Sequence, residues 1–187
     1  MDFQSSVRHH FLVAVPSMRG TYFEQAVVYV CEHQSKGTAG LIINHPMEAS
    51  LGLIFEQLHL EQVVIAQKNK PLLMGGPIQP ERGFVIHRPF GQWQSSLRLD
   101  DDVTITTSND IIRAMASDHG PQDVLVTLGF VGWQPGQLEK EIMDDQWLIC
   151  PYDSSLLYNV DFDKRWNVAT QMMGVNMNHF ISGPGHA

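Results

Sequence analysis

AVVYVCEHQSKGTAGLIIN, residues 26–44, is the stretch on which the fold reading turns. Its opening run, 26–33, is β-branched and aromatic almost throughout, and 40–44 (GLIIN) is apolar again. Ser35, Lys36, Gly37 and Thr38 stand between them. Two strand-like runs joined by a short glycine-containing link predict a β-hairpin, and with it an antiparallel start to a sheet. Residues 11–15 (FLVAV), closed by Pro16, read as a short buried strand ahead of that hairpin.

Beyond Pro46 the period changes. Leu51, Ile54, Phe55 and Leu58 fall at helical spacing and share one face. Residues 61–70 read as a polar loop leading to a strand at 72–74, which Gly75-Gly76-Pro77 breaks. Further strands are expected at 83–87 and 103–106. Ser108 is placed to cap a helix carrying Ile111, Ile112 and Met115, with Gly120-Pro121 as its stop. The most apolar run, 124–130, is expected to be a central strand, followed by a short helix at 136–144 and a strand at 147–150. A last helix places Phe162, Trp166, Ala169 and Met173 on its core face and Gly174 at its C-terminal cap. Strands and helices alternate without the long, regular βαβ units of a doubly wound fold. The expectation is one mixed α+β (α/β) domain over residues 1–187, with a mainly antiparallel sheet and several packed helices. No internal repeat, low-complexity run or dividing linker is visible.

Composition narrows the function classes. Apolar residues make up 43% of the 187, enough to fill a core, and charged residues only 17%. The formal charge is -8, from 12 basic against 20 acidic side chains. That balance argues against direct DNA binding and against attraction to anionic membranes. The one basic cluster, around Arg82, His87 and Arg88, is modest. Residues 1–10 are polar and lack the apolar run of a signal peptide, and no apolar run approaches the ~20 residues that span a bilayer. Cys31 and Cys150 stand alone in their segments, which fits reduced, structural thiols and a cytoplasmic location.

Six segments, taken in order, carry a resemblance: 11–18 (FLVAVPSM), 40–46 (GLIINHP), Gly75-Gly76-Pro77 with 82–87 (RGFVIH), 129–141 (GFVGWQPGQLEKE), Trp147-Leu148, and Gly185-His186-Ala187. Together they resemble the AlgH/YqgE family of small bacterial proteins over nearly the whole chain. The resemblance implies a single α/β domain whose sheet curls into a barrel-like arrangement. It implies no particular reaction; the family name carries a regulatory label tied to alginate production. One departure is His45, where the family often places Arg or Lys, so an anion contact there would depend on histidine protonation. The terminal Gly-His-Ala, read as a kept feature, is expected to dock beside the glycine-rich turns, with a frayed tail as the alternative.

No residue pattern announces chemistry. There are nine histidines but no HExxH, and His33, His45, His87 and His186 converge only if the fold brings them together. Asp100-Asp101-Asp102 lacks the alternating ligands and glycine of a calcium loop. There is no GxSxG elbow, and no GxxxxGK[ST] or GxGxxG to cradle a nucleotide, so no cofactor is expected. Cys31 lies in an apolar strand with His33 two residues on, which puts imidazole and thiol on one strand face. Glu139 and Glu141 point apart on a helix and make a poor acid/base pair. Gly75, Gly76, Gly129, Gly132 and Gly136 expose backbone to a ligand, or serve as bends in a curled sheet, and the bends carry more weight. Trp133, Trp147 and Trp166 can wall a pocket, though Trp166 reads as packing.

The ligand-binding residues expected are Asn44, Gly75, Gly76, His87, Gly132, Trp133 and His186, with no catalytic or metal-binding set. The leading functional reading is a non-catalytic regulatory protein that takes a small molecule or a protein partner, with a link to transcription. The alternative is a hydrolase or redox enzyme built around Cys31, His33 and His87. A DNA-binding transcription factor ranks third, for want of a basic recognition helix.

Overall fold

The computed structural model describes residues 6–180. Among these lie ten strands: β1 (Phe11–Ala14), β2 (Val27–Gln34), β3 (Gly37–Ile42), β4 (Pro46–Ser50), β5 (Pro71–Met74), β6 (Ile78–Arg88), β7 (Ser96–Arg98), β8 (Thr104–Thr106), β9 (Asp123–Trp133) and β10 (Trp147–Cys150). Six α-helices accompany them: α1 (Leu51–Gln57), α2 (Ile65–Lys68), α3 (Asn109–Ala116), α4 (Gln137–Met143), α5 (Ser154–Tyr158) and α6 (Arg165–Met172). The fold is mixed α/β with a mainly antiparallel sheet and packed helices.

The hairpin forms where the sequence places it. β2 and β3 pair antiparallel from Val28↔Ile42 to Gln34↔Gly37. Gly37 is required there on two counts. Its φ of 132° favours glycine, and a Cβ would sit 2.5 Å from the Trp133 carbonyl oxygen. The register slips between Val30 and Glu32, so Cys31 sits at a bulge.

The chain forms two compact units. The first takes the chain up to Asn44 and from Val131 onward; the second is His45–Phe130. β9 runs from the second into the first. In the first unit the strands follow the order β10-β1-β2-β3-β9, antiparallel throughout. Its core gathers Leu12, Ala14, Val28, Val30, Ile42, Trp133, Leu138 and Trp147. In the second unit β9 pairs antiparallel with β6 and parallel with β5, and β8 and β7 continue outward from β6. There α1 and α3 bury Leu51, Phe55, Ile111, Ile112 and Met115 with Leu72, Val85 and Val126. Each such side chain contributes about 1.5–3 kcal/mol by leaving water.

Several expectations are corrected. Residues 61–70 are not all loop: they hold α2, whose Ile65 is exposed, so no apolar period announces the helix. β7 is exposed along its length and carries no alternation for the same reason. Helix α3 ends at Ala116, before Gly120, because Asp118 takes a left-handed φ of 62° and the His119 amide donates back to the Ala114 carbonyl. Ser108 stands at its N-cap without making the cap bond. The Asp110 carboxylate takes that role, accepting from the amides of Ile111 and Gln94 and from the Ser108 hydroxyl. At the C-terminal end, a 3-10 turn (Phe162–Lys164) precedes α6, and the change of winding shifts the buried face. Arg165, Ala169 and Thr170 are the buried residues of α6, while Phe162, Trp166 and Met173 are half-buried. Gly174, at φ 65°, takes the left-handed conformation expected just past a helix end.

Candidate functional site

In the first unit, a set of long-range polar bonds centres on Ile43 and Asn44, where β3 runs out. Asn44 is 8% exposed. Its Oδ1 accepts from the Val27 amide at 2.8 Å, and its Nδ2 donates to the Gln25 carbonyl at 2.8 Å. Gln25 has a left-handed φ of 51°, a conformation that costs a non-glycine residue stability unless its surroundings hold it. Asn44 supplies that hold. One residue earlier, the Ile43 carbonyl accepts from Nη1 of Arg165 at 2.6 Å.

Arg165 is 1% exposed, an unusual place for a guanidinium. Its Nε donates to the Val160 carbonyl at 2.9 Å, and its carbon end lies 4.6 Å from the centre of the Phe162 ring. Burial pulls its pKa down to about 10, opposed by the nearby charge of Asp161, so it keeps its proton at neutral pH. Backbone carbonyls and an aromatic face serve this cation where a carboxylate would be expected. The next residue, Trp166, donates its indole N–H to the Ala14 carbonyl at 2.8 Å. Three side chains thus tie the end of β1, the loop before β2, the end of β3 and α6 together.

A cavity of about 440 Å³ lies against this network, lined by Val15, Pro16, Arg19, Glu24, Gln25, Trp166, Met177 and Asn178. Trp166 and Gln25 are immobilised by the bonds just described. Glu24 Oε2 accepts from the Gly20 amide at 3.0 Å, and Oε1 lies 3.8 Å from Nε of Arg19. Arg19 is 87% exposed at its side chain. Arg19 and Glu24 thus bring one cation and one anion to the same lining as Trp166.

The other residues expected at a site are distributed as follows. Gly132 pairs with Ala39 in the β3–β9 ladder. Trp133 is buried and donates Nε1–H to Oε2 of Glu141 at 2.8 Å, and Trp147 donates to the same oxygen at 2.9 Å. His33 turns its Nδ1 to the Thr38 hydroxyl (2.8 Å) and its Nε2 towards Glu139 (3.5 Å). Cys31 is buried, its thiol directed at the Tyr29 carbonyl, and burial pushes its pKa up, with Glu32 adding to the rise. Cys150 is pushed up to about 11 by burial and Asp153. Neither thiol is poised as a thiolate.

In the second unit, Gly75 and Gly76 meet Gly129 at a close backbone crossing. The Gly75 amide donates to the Leu128 carbonyl, and a Cβ on Gly129 would fall 2.2 Å from the Gly76 oxygen. His87 is fully buried. A carbonyl can only accept, so Nδ1–H donates to Pro89 (3.0 Å), and the bare Nε2 accepts from the Thr106 hydroxyl (2.8 Å). Burial lowers the His87 pKa and keeps the ring neutral. A second cavity, about 250 Å³, is floored by Ile54, Leu58, Val85, Ile112, Val126 and Leu128. His186 and the expected docking of the tail lie outside the described residues.

Among the described residues, no group of three His, Cys, Asp or Glu side chains is placed to hold a metal ion, and no helix is long and apolar enough to cross a membrane. Of the expected residues, Asn44 belongs to the polar network of the first cavity. Arg19, Glu24, Gln25 and Arg165 went unread because they come from separate turns, with no spacing that links them. The adjacency of a charged residue to the periodic Trp166 was the single available signal.

Comparison with known proteins places this geometry in a lineage. Residues 11–178 match the family described as AlgH-like. A UPF0301 protein of Legionella pneumophila (strain Corby) is 54% identical over 183 residues, which cover 98% of each chain. One from Vibrio atlanticus is 39% identical over 186 residues, covering 97% of this chain and 100% of that one. The solution structure of the AlgH protein from Pseudomonas aeruginosa is similar at a TM-score of 0.80 and 37% identity, covering 100% of this chain and 99% of that one. A Corynebacterium diphtheriae protein shares the fold at a TM-score of 0.71 and 19% identity. With the match running from the first strand to the last described turn, the chain belongs to the AlgH-like family.

Proposed function

We propose that this chain is a non-catalytic small-molecule-binding protein, with its ligand seat in the cavity walled by Val15, Pro16, Gln25 and Trp166. The observation that carries this reading is the way those walls are fixed. Asn44 bonds the carbonyl of Gln25, Trp166 the carbonyl of Ala14 next to Val15, and Arg165 the carbonyl of Ile43 next to Asn44, at the expense of a strained Gln25 and a desolvated guanidinium. A pre-formed concave site with an aromatic wall and a few polar groups is the usual form of a ligand pocket. Burial of both thiols, which raises their pKa, weighs against a cysteine-dependent reaction. A regulatory role, which the resemblance to the AlgH/YqgE family implies, is served in this reading by ligand binding and not by contact with DNA.

The test uses the Trp166 indole N–H as reporter, assigned through a Trp166→Phe variant. Titration with indole, a flat uncharged probe, should shift that signal saturably, along with amides near Gln25 and Asn178. Shifts scattered over the surface, or none, would refute the reading.

A further inference from the structure

We infer that the second unit carries a proton relay from its surface to the buried imidazole of His87. The exposed Ser96 hydroxyl and the buried Thr106 hydroxyl pass a proton to and from the ring, which charges without the fold opening. The relay does not depend on the ligand seat proposed for the first unit. Its basis is a row of three side chains on β7, β8 and β6. Ser96 stands directly opposite Thr106 in the β7–β8 ladder, and Thr106 stands opposite Val85, two residues from His87 on β6. Alternate residues of a strand share a face, so the register itself sets the three side chains in line. His87 and Thr106 are fully buried, while Ser96 is exposed. The row therefore leads from solvent to a ring with no solvent contact of its own.

The direction of each hydrogen follows from valence. The Pro89 carbonyl holds the Nδ1 hydrogen, so the neutral ring keeps Nε2 bare and takes the Thr106 hydroxyl hydrogen at 2.8 Å. Thr106 has one hydrogen, now spent, so the 2.7 Å bond between the hydroxyls is donated by Ser96. A proton arriving from water at Ser96 Oγ releases the hydrogen of Ser96 to Thr106 Oγ1, and that of Thr106 to Nε2. One O–H bond forms and one breaks at each hydroxyl, and the new N–H bond leaves the charge on the ring. Both hydroxyls are then reversed: Nε2–H donates to Thr106, Thr106 donates to Ser96, and the Ser96 hydrogen faces outward. Both imidazolium N–H groups keep acceptors, Pro89 and Thr106, as a buried cation requires. The Trp93 ring, edge-on to His87 with centroids 6.4 Å apart, does not titrate. On the neighbouring elements, Arg88 is engaged with Asp123 and Asp102, Arg98 with Asp101, and Asp110 with Ser108 and the Gln94 amide. Glu56 of α1, Glu81 and Arg82 of β6 and Arg113 of α3 are exposed. Burial, and not a charged neighbour, is what weakens proton binding at His87, and the Pro89 bond opposes it.

The experiment follows the His87 ring nitrogens by NMR in isotope-labelled full-length protein, assigned through His87→Gln, as pH falls through and below the ordinary histidine range. At neutral pH the ring should carry its hydrogen on Nδ1. It should then charge while the methyl signals of the surrounding core stay native, and its two forms should give one averaged signal because the relay exchanges protons rapidly. Thr106→Val removes the central hydroxyl at nearly constant volume. There His87 should bind its proton about tenfold more weakly, the worth of a hydrogen bond to a charged group, and the averaged signal should split in two. Thr106→Ser puts a hydroxyl back and should restore both readouts. Ser96→Ala, at the surface, should slow the exchange while the Thr106 bond to the ring persists. The relay is overturned by a neutral ring protonated on Nε2, by global unfolding before the ring charges, or by a parent-like titration in Thr106→Val. If Thr106→Val does not fold, Ser96→Ala decides: slowed exchange supports the relay, and exchange as fast as in the parent overturns it.

Discussion

Asn44 is a small residue with a large structural duty, because its amide meets a donor and an acceptor on two residues of another segment. Replacing it by alanine strands the Val27 N–H and the Gln25 carbonyl in a nearly dry environment. Asn44→Ala should cost about 2 kcal/mol, seen as a melting temperature lower by about 4–8 °C for a chain of this size. Asn44→Asp should do worse, since it keeps the acceptor but loses the donor and buries a charge. His87 makes the second prediction at this scale. Its folded pKa lies below the ordinary 6.5 because burial disfavours the imidazolium. The unfolded chain therefore takes up the proton first as pH falls. The stability tied to neutral His87 is complete above 6.5 and is lost as pH drops from there towards the folded pKa. Denaturant titrations between about pH 7.5 and about pH 5, a span around the ordinary histidine value, should show a steeper loss in the parent than in a His87→Gln variant. Equal slopes would show that His87 does not carry this dependence.

Helix α4 illustrates what elements add to residues. Its Glu141 accepts both buried indole N–H groups, Trp133 and Trp147, and so pins the helix to two strands of the first unit, β9 and β10. Gln137, on the same helix, donates to the other carboxylate oxygen. Glu141→Leu should lower stability by about 2–4 kcal/mol, with Glu141→Gln losing less because one oxygen remains to accept. A leucine variant as stable as the parent, by chemical denaturation, would show that the indoles find other partners. The same element marks the limit of sequence reading. Glu139 and Glu141 were legible as pointing apart, and the helix itself was placed within a residue at each end. That Glu141 serves two tryptophans was not legible, because the pairing depends on where β9 and β10 bring Trp133 and Trp147. Elements with an apolar period, such as β2, β3, α1, α3 and β10, were read nearly in place. Those without one, α2, β4, β7 and α5, were missed, since exposed or very short segments leave no alternation to detect. The candidate site was harder still. Its lining comes from loops, two 3-10 turns (Pro16–Met18 and Met177–Phe180) and Trp166 of α6; Asn44 of its supporting network was named in advance, and Trp166 only as a wall that read as packing.

At the scale of the whole molecule, the charge of -8 bears on partners more than on fold. Repulsion from a polyanion grows with net charge, and the described α-helices offer no basic face to overcome it. No sequence-specific nanomolar complex with DNA is expected in gel-shift assays at about 150 mM salt. A complex of that affinity, selective for one promoter, would require a mode of contact unlike the helix-in-groove pattern. Ligand binding by the first unit needs no such surface.

The division of the chain also sets an order of events on the ribosome. The second unit is one uninterrupted segment, His45–Phe130, and can close as soon as it emerges. The first cannot. β1 waits for β10 and β3 waits for the last residues of β9, all encoded after that segment. At the usual ~5–20 residues per second, the early β1–β2–β3 sheet stands for on the order of ten seconds with the outer edges of β1 and β3 unpaired. That interval is when the nascent chain is most open to strand-pairing with its neighbours on a polysome. Chaperone demand during synthesis should therefore be governed by the first forty-four residues rather than by the finished protein.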